Sequence, residues 1–123
     1  MKKIAIYGKG GIGKSTVTSS ISAALSQLNY KVMQVGCDPK ADSTINLTLG
    51  KPVTPVINAM SEKAYGLSLD DIVVEGYNGI LCIEAGGPTP GLGCAGRGIV
   101  TTFDLLEDLN AYQIYKPDFV LFD

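Results

Sequence analysis

The sequence predicts an α/β domain built as a parallel sheet with helices on both faces. Three observations carry that prediction. Short apolar runs alternate with segments of helical spacing. The last run, Phe119-Val120-Leu121-Phe122, is apolar throughout, as a strand covered on both sides must be. Between the first run and the first helix lies Gly8-Lys9-Gly10-Gly11-Ile12-Gly13-Lys14-Ser15, the G-x-x-x-x-G-K-S pattern of a phosphate-binding loop, which marks a P-loop NTPase fold.

Each element follows in order. Lys2–Tyr7 reads as the first strand. Ser15 to about Leu28 reads as a helix whose apolar face is Val17, Ile21, Ala24, Leu25 and Leu28. Lys31–Val35 is the second strand, joined to the first by a right-handed crossover. It empties into the polar loop Gly36–Thr44, at the carboxyl end of a parallel strand, where open α/β sheets place ligands. A short helix is expected after Asp42 as N-cap, ending at Gly50-Lys51-Pro52. Val53, Val56, Ile57 and Met60 have helical spacing, with Pro55 admissible only near the start. Leu69–Val73 is a short helix or turn, and Ile80–Glu84 the third strand. Ala85–Gly98, with six glycines, Pro88 and Pro90, is a second glycine-rich loop. A helix with the stripe Ile99, Phe103, Leu106 and Leu109 follows, then a connection over Asn110–Pro117 and the fourth strand.

The loop chemistry follows from residue type. Gly8, Gly10, Gly11 and Gly13 free the backbone to turn successive N–H groups inward as an anion nest. The following helix adds the positive end of its dipole. Lys14 is placed to reach the β- and γ-phosphates, and Ser15 to hold Mg²⁺. The nucleotide-binding set is thus Gly8, Lys9, Gly10, Gly11, Ile12, Gly13, Lys14, Ser15 and Thr16, with ATP and Mg²⁺ as cofactors. The ordinary account of Lys9 is a solvated charge. Asp123, ending an apolar strand, reads as a Walker B residue holding Mg²⁺ through water.

A length of 123 residues bounds the chain to one domain or part of one, and residues 1–123 read as a single P-loop NTPase domain truncated after the Walker B-like strand. A piece ending there is expected to be inactive and, with the first strand's outer edge uncovered, to aggregate. A net charge of −2 argues against a nucleic-acid surface. No apolar run is long enough to span a bilayer, and the chain enters its first strand without a signal peptide, so membrane association is not expected and the cytoplasm is the expected location. The absence of histidine removes histidine-dependent acid–base chemistry within this chain. Three cysteines without a C-x-x-C argue against a disulfide framework. Cys37 and Cys82 read as core or near-core; Cys94, among glycines, is equally well a metal ligand or a plain loop cysteine.

Three segments together resemble the nitrogenase iron protein (dinitrogenase reductase) family: Tyr7–Thr16, Val35–Thr44, and Glu84–Pro88 with Gly93-Cys94-Ala95-Gly96-Arg97-Gly98. The last is the most specific, since many NTPases share the first. The resemblance covers the whole chain but about the N-terminal half of a family member, and places the loop in the deviant Walker A class. It implies a homodimer that hydrolyses MgATP and passes electrons to a larger, dinitrogenase-like metalloprotein, drawing them from a donor such as ferredoxin or flavodoxin. It implies one [4Fe–4S] cluster shared between two subunits, Cys94 being one ligand of each. The second ligand of each subunit and the second nucleotide switch belong to a segment after Asp123. The resemblance further implies that Lys9 contacts nucleotide across the dimer and acts in catalysis with Lys14 and Asp38. Asp38, Lys40 and Asp42 form the first switch, Lys40 also binding nucleotide, with Asp38 near Mg²⁺ and the attacking water. For Asp38 and Asp42 the ordinary account is turn and cap chemistry. Arg97 matches the arginine on the partner-docking face, ADP-ribosylated in some organisms; otherwise it is a solvated arginine before a helix. Two alternatives stand beside this: a nitrogenase-like reductase of nickel-cofactor or chlorophyll-precursor tetrapyrrole biosynthesis, and a non-redox partitioning-type ATPase, which has no reason to keep the Cys94 segment.

Overall fold

The computed structural model describes residues 1–8, 13–63, 65–87 and 96–123, the side chains of Gly96 and Arg97 excepted. The strands are β1 (Lys2–Ala5), β2 (Val32–Gly36), β3 (Val74–Glu75), β4 (Leu81–Glu84) and β5 (Phe119–Phe122). The helices are α1 (Lys14–Gln27), α2 (Val56–Glu62), α3 (Leu69–Ile72), α4 (Gly96–Asp108) and α5 (Ala111–Tyr115). The sheet order is β1-β5-β2-β4-β3. The first four strands in that order are mutually parallel; β3 pairs antiparallel with β4, so the sheet is mixed at that edge rather than wholly parallel. β3 has only two residues, too short to show a strand's alternation in the sequence.

Alternation along the strands sorts the two faces. Met33, Val35, Leu81, Ile83 and Val120 point to one side, where Val56 and Ala59 of α2, Ile72 of α3, Leu106 of α4 and Ala111 of α5 cover them. Val32, Cys82 and Leu121 point to the other, against Ile21 and Leu25 of α1. The expected stripe of α4 holds: Leu106 is buried, Ile99 and Leu109 pack on the core, and Phe103 meets Phe122 edge-on at 4.7 Å between centroids.

Three local readings are corrected. The stretch after Asp42 is no helix but a run of turns closed by i→i+3 bonds, Ile45 N–H to Asp42 O at 3.2 Å and Leu47 N–H to Thr44 O at 2.8 Å. The run ends where Leu49, at φ 56°, and Gly50, at φ 83°, take left-handed backbone that a right-handed helix cannot continue through. The connection Asn110–Pro117 contains α5: Asn110, at φ 57°, breaks the path of α4, and five residues were too few to show a helical period. The third concerns α1. Val17 and Leu28 are 53% and 66% exposed, while Thr18, Ser19, Ser22 and Ser26 are buried. Ile21 and Leu25 face the sheet as expected, but beside them runs a hydroxyl ladder, made compatible with helix by back-bonds such as Thr18 Oγ1 to Lys14 O at 2.8 Å.

Candidate nucleotide site

The reason for that ladder lies in the strands. Gln34 on β2, Glu84 ending β4 and Asp123 following β5 all point to the α1 side and are all buried. A polar group there must find partners. Ser22 Oγ donates to Gln34 Oε1 at 2.7 Å, and Gln34 Nε2 donates to Ser43 Oγ at 3.1 Å and Ser19 Oγ at 3.3 Å. Ser43 Oγ in turn donates to Asp123 Oδ2 at 2.5 Å. A hydrogen-bond chain thus runs under α1 to the carboxyl end of the sheet.

Asp123 is the hub. It is 6% exposed, accepts from Ser15 Oγ at 2.6 Å and Thr18 Oγ1 at 3.3 Å, and pairs with Lys14 Nζ at 2.5 Å. Burial alone would raise its carboxyl; hydrogen bonds from Lys14, Ser15 and Ser43 with the Lys14 charge outweigh it, and hold Asp123 below the usual carboxylate range. Its backbone is fixed too, with Asp123 N–H on Val35 O at 3.0 Å and Cys37 N–H on Asp123 O at 2.8 Å. Gly13 precedes α1 at φ 86°, a conformation open chiefly to glycine, and its carbonyl accepts the Val17 N–H at 3.0 Å.

Above this hub lies a cavity of about 220 Å³, lined by Gly13, Lys14, Ser15, Thr16, Asp38, Lys40 and Asp42. The structure therefore brings the described end of the first glycine loop and the loop after β2 to one opening. Asp38 makes an Asx turn, its Oδ1 accepting the Lys40 N–H at 2.9 Å, so turn chemistry and a site position coincide in one residue. Gly8 is exposed at the end of β1's extension. A hollow of about 270 Å³ between α2 and α3 is lined by Thr54, Ala59, Glu62, Lys63, Leu67 and Asp71 and shares no residue with this site.

Lys9, Gly10, Gly11, Ile12 and Cys94, and the side chain of Arg97, lie outside the described residues. Among the described residues no group of three or more His, Cys, Asp or Glu is placed to hold a metal ion. Cys37 is half-buried and Cys82 is buried within β4, and burial is the main influence on both thiols, raising them to about 11 and about 12. Mg²⁺ is different. Ser15 and Asp123 offer adjacent hard oxygen donors of the kind it takes.

Reading the sequence for motifs missed Thr18, Gln34, Ser43, Thr44 and Glu84. A signal existed. Gln34 interrupts a run of apolar strand residues, Glu84 ends its strand as Asp123 follows its own, and Thr18, Ser22 and Ser26 recur at intervals of one helical turn.

Comparison with known proteins places this geometry. Residues 2–123 match the family described as "4Fe-4S iron sulfur cluster binding proteins, NifH/frxC family". The chain is 54% identical over 123 residues to nitrogenase iron protein 2 of Paenibacillus durus, covering all of this chain and 42% of that protein. It is 52% identical over 124 residues to the nitrogenase iron protein of Methanospirillum hungatei, covering 43% of it. The chain thus spans less than half the length of these curated relatives. Among solved structures, cobyrinic acid a,c-diamide synthase from Mycobacterium smegmatis, with ADP and magnesium bound, aligns at TM-score 0.66 and 20% identity over all of this chain and 50% of that one. The septum site-determining protein MinD from Pyrococcus horikoshii, complexed with Mg-ADP, aligns at 0.63 and 24% over 99% and 48%. At such identities these two establish the fold, a P-loop NTPase sheet. The family match over residues 2–123 goes further: this chain belongs to the NifH/frxC family of 4Fe-4S cluster-binding proteins.

Proposed function

We propose that this chain forms the nucleotide-binding half of an ATP-dependent, electron-donating iron–sulfur reductase of the nitrogenase iron protein type. The observation that carries the reading is the convergence of Lys14 and Ser15 with Asp38, Lys40 and Asp42 on one cavity, Lys14 and Ser15 both being bonded to Asp123. In this reading the triphosphate lies along the N-terminus of α1, and its charge draws Lys14 from Asp123 to the β- and γ-phosphates. Gly8 to Thr16 supply the cradle and Lys40 a flanking cation. Ser15 and Asp123 hold Mg²⁺, which neutralises charge developing on the transferred phosphoryl group. Asp38 orients the attacking water, and Asp38, Lys40 and Asp42 shift when the γ-phosphate departs.

The cluster assignment rests on family membership, with Cys94 as the ligand and a second copy of the chain supplying its equivalent. Lys9 reaching across the dimer, Arg97 on the docking face, a ferredoxin- or flavodoxin-like donor, a dinitrogenase-like acceptor and a cytoplasmic setting belong to the same reading. No helix among the described residues is long and apolar enough to cross a membrane.

The test uses the whole protein purified without oxygen. It is expected to bind MgATP by calorimetry and to carry iron with the visible absorbance of an iron–sulfur cluster. Lys14→Gln should lose nucleotide binding while keeping iron, and Cys94→Ser should lose iron while keeping nucleotide binding. An iron-free protein after anaerobic reconstitution would refute the redox reading.

A further inference from the structure

Glu84 is a buried carboxylate to which no site role has been given. It is 1% exposed, and its two oxygens are treated unequally. Oε2 accepts both the Thr44 N–H, at 2.8 Å, and the Thr44 hydroxyl, at 2.6 Å. Oε1 has no hydrogen-bond partner among the described residues. Gly36 stands opposite Glu84 in the β2–β4 register, and a Cβ there would fall 1.9 Å from Oε1. The backbone of β2 is thus open just where this carboxyl sits. A leucine at position 84 would fill the space without desolvating an ionisable group, so packing alone does not account for a glutamate.

What the glutamate adds is a connection. Ser43 and Thr44 are consecutive, and they bind the carboxylates at the ends of β5 and β4, the two strands that flank β2: Ser43 holds Asp123, and Thr44 holds Glu84. The first carboxylate lies in the nucleotide site. The second is followed directly by Ala85-Gly86-Gly87, the start of the loop that carries Cys94. A second contact reinforces the tie, because a Cβ on Gly87 would meet Pro39 Cγ at 3.1 Å, and Pro39 lies between Asp38 and Lys40. Both ends of the loop after β2 therefore press on one stretch of chain.

We propose that Glu84 is a positioning residue that yokes the loop Cys37–Thr44 to Ala85–Gly87, so that a displacement of Asp38, Lys40 and Asp42 on nucleotide exchange is carried into the glycine-rich segment after β4. The inference rests on the nucleotide reading above, and concerns a path through Thr44 and Glu84 rather than through Asp123. The Glu84 carboxylate works as an acceptor anchored in a strand, which a neutral amide can replace and an aliphatic side chain cannot.

The experiment is amide hydrogen exchange of the whole dimeric protein with and without MgADP, and with calorimetry run in parallel. Variants are Thr44→Val, Thr44→Ser, Glu84→Leu and Glu84→Gln. In the wild type, Thr44→Ser and Glu84→Gln, nucleotide should alter exchange in both Asp38–Thr44 and Ala85–Gly87. In Thr44→Val and Glu84→Leu the first response should persist while the second falls about fivefold or more, the lower end of ordinary coupling between sites. If Thr44→Val merely loses thermal stability and keeps the full Ala85–Gly87 response, the tie is structural only and the proposal fails. Glu84→Gln behaving like Glu84→Leu also overturns it. Nucleotide that binds the wild type yet leaves Ala85–Gly87 unaltered overturns the yoke alone, whereas absence of binding by calorimetry overturns the nucleotide reading and the yoke with it.

Discussion

Lys14 and Asp123 show how much of this site is decided by single side chains. The Asp123 carboxylate is buried and kept ionised by one ammonium and several hydroxyl donors. Lys14→Met removes the cation and leaves a buried charge held by neutral donors. Such a loss is expected to destabilise the protein by about 1–3 kcal/mol, read as a drop in urea midpoint, and to abolish MgATP binding. An unchanged midpoint would mean that the pair is solvated and idle. Gly36 makes a complementary point about space. Gly36→Ala sets a methyl against Glu84 Oε1 at 1.9 Å and Ser43 Cβ at 2.6 Å, and overpacking of that kind should cost about 1–3 kcal/mol. In a Glu84→Ala background part of that penalty should vanish, since only the Ser43 approach remains. A double-mutant cycle measures it, and strict additivity would place the strain elsewhere.

Among the elements, the strands and α1 were legible to very different degrees. β2, β4 and β5 announced themselves because a strand covered on both faces must be apolar nearly throughout, and α4 because one stripe faces a core. The existence of α1 was legible too, from its glycine loop and its length. Its orientation was legible only in part: Ile21 and Leu25 pack on the core as expected, while Val17 and Leu28 are exposed. A periodicity argument assigns the sheet-facing side to aliphatic residues, and here Gln34 and Asp123 also present polar groups to that helix. The helix met those two with hydroxyls of Ser15, Thr18, Ser19 and Ser22, so polar complementarity shares that side with Ile21 and Leu25. The candidate site divided the same way. Motif residues such as Lys14, Ser15, Asp38 and Asp123 were readable from local order, whereas Ser43, Thr44 and Glu84 acquire roles only when the sheet places residues forty or more positions apart side by side. The α1 ladder carries its own prediction. Ser22→Ala leaves Gln34 Oε1 without its 2.7 Å donor and should cost about 1–3 kcal/mol. Adding Gln34→Met should restore most of that stability by removing the stranded acceptor. It should also weaken MgATP binding, because Ser43 then loses the amide that orients it toward Asp123. Calorimetry alongside thermal melts separates these outcomes, and a double variant that regains stability together with full affinity would show the Gln34 chain to be irrelevant to the site.

At the scale of the whole molecule, two buried carboxylates at the ends of the strands flanking β2 pull the pH dependence of stability in opposite directions. Asp123 has its folded-state pKa lowered, the hydrogen bonds and charge of its neighbours exceeding the effect of burial. Its contribution is therefore present above the unfolded pKa of about 3.9 and is lost as pH falls through the lower folded value. Glu84 has its folded-state pKa raised, mainly by burial, with the Thr44 hydrogen bonds opposing. Its contribution is full below the unfolded pKa of about 4.3 and is lost as pH rises through the higher folded value. The wild type should thus lose stability to acid through Asp123 and surrender part of what remains, toward neutrality, through Glu84. Asp123→Asn should fall furthest below the wild type at neutral pH and converge with it in acid. Glu84→Gln, which cannot ionise, should gain on the wild type steadily as pH rises. Urea midpoints of the three proteins from acid to neutral pH test both signs at once. A Glu84→Gln curve that loses ground as pH rises would show that Glu84 is ionised and satisfied in the native state, with a donor on Oε1. It would then hold the Thr44 segment by charge rather than by a neutral acceptor.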